Sequence, residues 1–292
     1  MDNKVLVVLG MHRSGTSLIA QWLQKCGLNM GDQLHGADIG NPEGHFEDVD
    51  FLNLHEGILK FYDLSTVGLI SHPVRDINDR FITEMTDLVQ HKNNAHIQWG
   101  WKEPRTCLFL SNYRSILSNA KYFIVVRDYN EVVSSLIKRN LKSWQKKHFL
   151  DKEFNSVIED FLYKKIWTLT KYKKNLIAHL SKYGEQYLKT WICYNEELLK
   201  HIHNIKKEDA VVCDLSMLLQ NPKDIFLWLK EEWRFDMDYY SFGSLYKKEL
   251  ITGHTDITAF IKNKALIEKA NALQLEFKKH LFNYKNTKQL IA

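Results

Sequence analysis

The apolar pattern of the chain alternates two kinds of stretch. Short runs at Val5–Leu9, Ile97–Trp101, Lys121–Val126 and Ala210–Cys213 are too brief for helices and read as buried strands. Between them, apolar residues return at helical spacing. Leu18, Ile19, Trp22 and Leu23 open the first helix, after a loop at Gly10–Ser17. The spacing predicts further helices over 49–61 (Phe51, Leu54, Ile58, Leu59) and 79–91. Pro104 ends the second strand, and a helix follows with Leu108, Phe109, Tyr113 and Leu117 inward. Another begins near Asn130. Residues 142–207 carry helical periodicity throughout, with Trp191, Tyr194, Leu198 and Ile202 on one face. Pro222 opens a helix through Leu227, Leu229 and Trp233, and residues 257–283 read as a terminal amphipathic helix. The glycine-rich passage 36–48 reads as a loop, and 62–77 and 234–256 as irregular.

Strand, helix and strand at this pitch predict an α/β fold: a parallel β-sheet flanked by helices, with right-handed crossovers. Ligands of such sheets sit outside the carboxyl ends of the strands. Gly10–Ser17, Lys102–Arg105 and Arg127–Ser135 all fall there. No repeat or low-complexity tract is visible. The simplest organisation is one domain over 1–292 with a helical insertion near 142–207.

Composition changes this picture little. The 292 residues are 45% hydrophobic and 26% charged, an ordinary globular balance. A net charge of +5 suits an anionic ligand but is too mild and dispersed for nucleic acid. Cys26, Cys107, Cys193 and Cys213 form no C-x-x-C pair, so neither zinc nor a disulfide framework is expected, and the default location is the cytoplasm. No run approaches the roughly 18–20 apolar residues of a spanning helix. His201 and His203, two apart, do not share a helix face, so no metal site is expected there.

The chemistry starts at Gly10-Met11-His12-Arg13-Ser14-Gly15-Thr16-Ser17. The G-x-x-x-x-G-T-S spacing is a phosphate-loop frame in which Thr16 replaces the lysine that reaches the β/γ-phosphates of a nucleoside triphosphate. Backbone N–H groups at the helix N-terminus still converge on an anion. Thr16 and Ser17 add hydroxyl donors, and Arg13 supplies the charge. Further on, Arg127 leaves a buried strand, and Ser134 and Ser135 return to its neighbourhood from the next helix. An arginine with a hydroxyl grips a phosphate; the bland alternative is a strand-end ion pair of Arg127 with Asp128. Trp99 and Trp101 read as strand core.

Together the loop and this pair resemble the sulfotransferases that use 3′-phosphoadenosine-5′-phosphosulfate (PAPS), in particular their bacterial and Golgi-type branch. The resemblance covers roughly residues 4–230. It includes Lys102-Glu103-Pro104, the Asn41-Pro42-Glu43-Gly44-His45-Phe46-Glu47 loop, Trp191 with Tyr194-Asn195, and Asn221-Pro222. It implies a P-loop NTPase-like fold, with His12, Arg13, Ser14, Gly15, Thr16 and Ser17 on the 5′-phosphosulfate and Arg127 with Ser135 on the 3′-phosphate. The cytosolic branch's C-terminal Arg-Lys-Gly segment is missing; Lys247 and Lys248 are the substitutes. Its catalytic histidine has Pro104 in its place. Leu215 stands where a tyrosine packs near adenine, so the adenine site is unassigned.

The implied reaction is in-line sulfuryl transfer from PAPS to a hydroxyl or amine of an acceptor, a carbohydrate by family habit. It needs no metal. Arg13 would serve the leaving-group oxygen and Lys102 the sulfuryl group. Glu47 would be the base, its pKa raised by desolvation; a helix N-terminal carboxylate is its bland alternative. Glu43, His45 and Glu103 are reserves, Glu103 being the natural partner of Arg105. Two rivals remain. A small-molecule kinase predicts lysine at position 16 and an acidic magnesium ligand. A non-catalytic nucleotide- or glycan-binding relative would keep the loop but lose the base and the lysine.

Overall fold

Four parallel strands form the sheet in the order β2-β1-β3-β4: β1 (Lys4–Leu9), β2 (Gln98–Lys102), β3 (Lys121–Val125) and β4 (Ala210–Cys213). The structure is a computed structural model that describes residues 3–36, 44–149, 161–247 and 255–284. In register, Val8 lies beside Lys102 and Phe123, and Val125 beside Cys213. Alternate strand residues feed opposite cores, as the pleat requires. Val5, Val7, Tyr122, Ile124 and Val212 face one cluster; Leu6, Val8, Phe123, Val125 and Val211 face the other. Burial on both faces explains why the strands read as continuous apolar runs rather than alternating ones.

The first cluster is roofed by α2 (Val49–Phe61), α3 (Asp79–Ala95), α4 (Leu110–Ile116), α5 (Tyr129–Phe149), α6 (Phe161–Ile202) and α9 (Lys264–His280). The second is roofed by α1 (Thr16–Lys25), α7 (Leu215–Gln220) and α8 (Pro222–Leu227). A 3-10 turn at Pro104–Phe109 carries β2 into α4. The described part of the periodic stretch 142–207 holds the end of α5 and α6, which ends at Ile202; residues 150–160 lie outside the described residues. The final helix starts at Lys264, because Thr258–Phe260 form a 3-10 turn that buries Ile257 and Ile261 before it. The four cysteines are buried free thiols. No helix among the described residues is long and apolar enough to cross a membrane.

Candidate active site

The chain leaves β1 for β2 on one side, then crosses to β3 on the other. The connections therefore diverge between β1 and β3, and a crevice opens at their carboxyl ends. Gly10 makes the crevice tight. A Cβ there would stand 2.7 Å from the Val125 carbonyl oxygen and from Thr16 Cγ2, and its φ is +154°. The loop then turns through Arg13 (φ 69°) and Gly15 (φ 101°) into α1, whose N-cap Gly15 brings no side-chain cap and whose first turn has no acid. That leaves a helix N-terminus suited to an anion.

Three predicted residues meet at this loop. Arg13 Nε donates to Ser135 Oγ at 2.9 Å, and Arg127 Nη1 donates to the Arg13 carbonyl at 2.8 Å. Arg127 Nε pairs with Glu131, one helical turn on, at 2.6 Å. The alternative partner Asp128 is occupied otherwise: it accepts from the Asn130 and Glu131 N–H groups at the start of α5 and from Gln274. Ser134 faces elsewhere and ties down Thr255. A cavity of about 160 Å³ lies here, walled by Arg13, Gly15, Thr16, Ser17 and Arg127 together with Phe46, Leu215, Tyr246 and Lys247. Lys247 thus stands near the predicted anion site, while Lys248 lies outside the described residues. Phe46 and Tyr246 supply aromatic surface that no periodicity in the sequence indicated.

His12 and Ser14 are not on this wall. Both are buried, and His12 packs edge-on against Tyr194, ring centroids 5.9 Å apart. Burial, then the Arg105 guanidinium, pushes the His12 imidazole well below the usual histidine range. Its Nε2 is buried without a hydrogen-bond partner.

The second group forms where β2 ends. Lys102, 1% exposed, donates from Nζ to Glu47 Oε1 at 3.0 Å. The neighbouring carboxylates are committed elsewhere. Asp48, not Glu47, caps α2, accepting from the Asp50 and Phe51 N–H groups. Asp48 and Asp50 also hold the buried Lys92 ammonium at 3.2 and 2.6 Å. Glu103 is fully buried between Arg105 Nη1 and His55 Nδ1, each at 2.5 Å, and His55 Nε2 lies 2.8 Å from the Tyr113 hydroxyl. Arg105 reaches on to Glu56 and the Thr66 carbonyl. Glu103 is a structural anchor beside Lys102. Glu43 lies outside the described residues, as do Asn41 and Pro42.

Electrostatics differ from the expectation at Glu47. Burial does raise its pKa, but the charge and hydrogen bond of Lys102 outweigh burial, and the carboxyl sits below its ordinary value. Burial in turn pushes Lys102 down, against the pull of Glu47. The resting pair is a desolvated ion pair. Among the described residues, two clusters have the donor types for a metal ion: His35, His45 and Glu47, and His203, Glu276 and His280. The second joins the turn just after α6 to α9, which spacing within one helix does not show.

No protein-family model matches the sequence, and no curated protein does. Solved structures do match by fold. Sulfotransferase STF9 from Mycobacterium avium is 14% identical, with 94% of this chain and 77% of that chain covered, at a TM-score of 0.53. Sulfotransferase STF1 from Mycobacterium tuberculosis H37Rv is 11% identical over 92% and 77%, at 0.47. The sulfotransferase domain from the Synechococcus PCC 7002 olefin synthase is 13% identical over 96% and 93%, at 0.43. With STF9 the likeness joins the parallel sheet and its flanking helices: the chain has a sulfotransferase fold.

Proposed function

We propose that the chain is a sulfotransferase that moves a sulfuryl group from PAPS to a hydroxyl or amine of an acceptor, with a carbohydrate as the acceptor class. The observation that carries this reading is the hydrogen-bonded set Arg127–Arg13–Ser135 at the β1/β3 crevice, beside a helix N-terminus and an aromatic-walled cavity. Two guanidinium groups, Arg127 anchored on the Arg13 carbonyl and Arg13 on Ser135, suit two phosphate groups on one small molecule. In this reading Thr16, Ser17 and the start of α1 hold the 5′-phosphosulfate. Arg127 and Ser135, with Lys247 lining the same cavity, hold the 3′-phosphate. Phe46, Leu215 and Tyr246 offer the apolar surface for the base.

PAPS supplies an activated sulfuryl group on a phosphate leaving group. The acceptor oxygen or nitrogen bonds to sulfur as the sulfur–oxygen bond to the phosphate breaks, leaving adenosine-3′,5′-bisphosphate. Lys102 turns its ammonium from Glu47 toward the sulfuryl oxygens, where charge grows. Glu47, released from that hydrogen bond, takes the acceptor proton. Arg13 steadies the leaving-group oxygen. Neither step asks for a metal ion.

Calorimetry with adenosine-3′,5′-bisphosphate and, separately, ATP-magnesium tests the donor. The bisphosphate is expected to bind and ATP-magnesium to bind far more weakly. Tight ATP binding without bisphosphate binding would replace this reading with the kinase one. Thr16 in the lysine position already weighs against that rival.

A further inference from the structure

Nothing in the donor reading uses His35, and His45 entered only as a reserve. The two histidines flank the passage 36–44, and backbone pairing pins them together. The His35 N–H donates to the Glu47 carbonyl at 2.8 Å, and the His45 and Phe46 N–H groups both reach the His35 carbonyl at 3.2 Å. Leu34 and Asp48 form an antiparallel bridge next door. The imidazoles are consequently stacked, centroids 4.7 Å apart and planes 15° apart. His35 Nδ1 lies 3.7 Å from Glu47 Oε2, and His45 Nδ1 lies 3.8 Å from Glu47 Oε1.

Three ligand atoms of the right kinds thus stand within 4.8 Å of one another. Around one tetrahedral zinc ion, with bonds of about 2.0–2.2 Å, neighbouring nitrogen and oxygen ligands stand roughly 3.3–3.5 Å apart. Small side-chain rotations close the difference. Two imidazoles and one carboxylate favour zinc and its transition-metal neighbours over magnesium or calcium, which prefer oxygen. Lys102 holds Oε1, so Oε2, facing His35, is the oxygen open to the ion.

We propose that His35, His45 and Glu47 form a binding site for a divalent transition metal, zinc being the fitting ion, whose occupancy withdraws Glu47 from proton transfer. The inhibitory part rests on Glu47 being the base. A carboxylate oxygen bonded to a dication no longer accepts the acceptor's proton, so the ion and the reaction compete for one side chain. The backbone pairing holds the three ligands together in advance, and the fourth zinc position is left to water.

Zinc chloride titrated by calorimetry into the chelator-treated full chain tests the site, with His35→Ala, His35→Ala/His45→Ala and His280→Ala as variants. Wild-type protein is expected to bind zinc. His35→Ala should weaken this binding about tenfold or more, since even an outer partner of a ligand is worth that much. The double variant should lose it, and His280→Ala should retain it. No wild-type binding, or full-affinity binding in the double variant, overturns the site. Unchanged melting of the zinc-free variants separates ligand loss from misfolding. Turnover gives the second arm: saturating zinc should suppress wild-type transfer and spare His35→Ala. If zinc occupies the site by calorimetry and turnover persists, the base assignment falls and the inhibitory role with it, while the metal site stands.

Discussion

Arg127 does two things at once. It bonds the carbonyl of Arg13 and pairs with Glu131, so its side chain and the loop at Arg13 are set in position before any anion arrives. Replacing it by alanine should weaken adenosine-3′,5′-bisphosphate binding by about 1.5–3 kcal/mol, the value of a lost charged hydrogen bond. Calorimetry reads this directly, and an unchanged affinity would remove the residue from the 3′-phosphate. Glu47 makes a different prediction. Glu47→Gln keeps the shape and removes the proton acceptor, so turnover should fall about 10²–10⁴-fold with bisphosphate affinity retained; near-normal turnover would move the base elsewhere. The loop frame and the Arg127-to-Ser135 spacing were legible because each is local in the chain. The depressed pKa of Glu47 was not. It depends on burial being opposed by an ammonium 55 residues away.

At the scale of elements, the contact between the ends of β1 and β3 governs the crevice. A methyl at Gly10 would press on the Val125 carbonyl at 2.7 Å. Gly10→Ala should therefore destabilise the fold by about 1–3 kcal/mol, as denaturant unfolding would show, and loosen bisphosphate binding with it. Helix α6 carries a second testable feature. His201 is buried against Tyr122 of β3, ring centroids 4.3 Å apart, with neither ring nitrogen hydrogen-bonded. Burial, helped by Arg114 of α4, lowers its pKa to about 4. The unfolded chain, at about 6.5, binds this proton first, so stability holds above pH 6.5 and is lost as the pH falls toward 4. At about 1.4 kcal/mol per unit, the loss reaches about 3 kcal/mol. His201→Phe should flatten that part of the melting-temperature profile; parallel profiles for the two proteins would show that His201 contributes nothing. The strand runs and most helices were readable from period alone. The late start of α9 was not, because apolar residues before it, Ile257 and Ile261, pack on the same core as the helix.

For the whole molecule, the donor reading predicts that ligand binding stabilises the native fold. Adenosine-3′,5′-bisphosphate at 100 times its dissociation constant should add about 2.7 kcal/mol, raising the melting temperature of wild type; Arg127→Ala should give a smaller rise at the same concentration. Equal rises would separate binding from the β1/β3 crevice. The sheet order explains why the crevice lies there. Connections diverge between β1 and β3, and the carboxyl ends of β1, β2 and β3 bring the loop, Lys102 and Arg127 to one edge. From the sequence alone follow the parallel α/β class, the strand runs and the glycine-dependent loop between β1 and α1, since burial on both faces and glycine-dependent turns leave a mark on consecutive residues. Tertiary structure alone decided which carboxylate pairs with Lys102, that Lys247, Tyr246 and Phe46 line one cavity with the loop, and that His35 and His45 meet over Glu47. Those arrangements join positions distant in the chain or separated by irregular turns, where no period links one residue to the next.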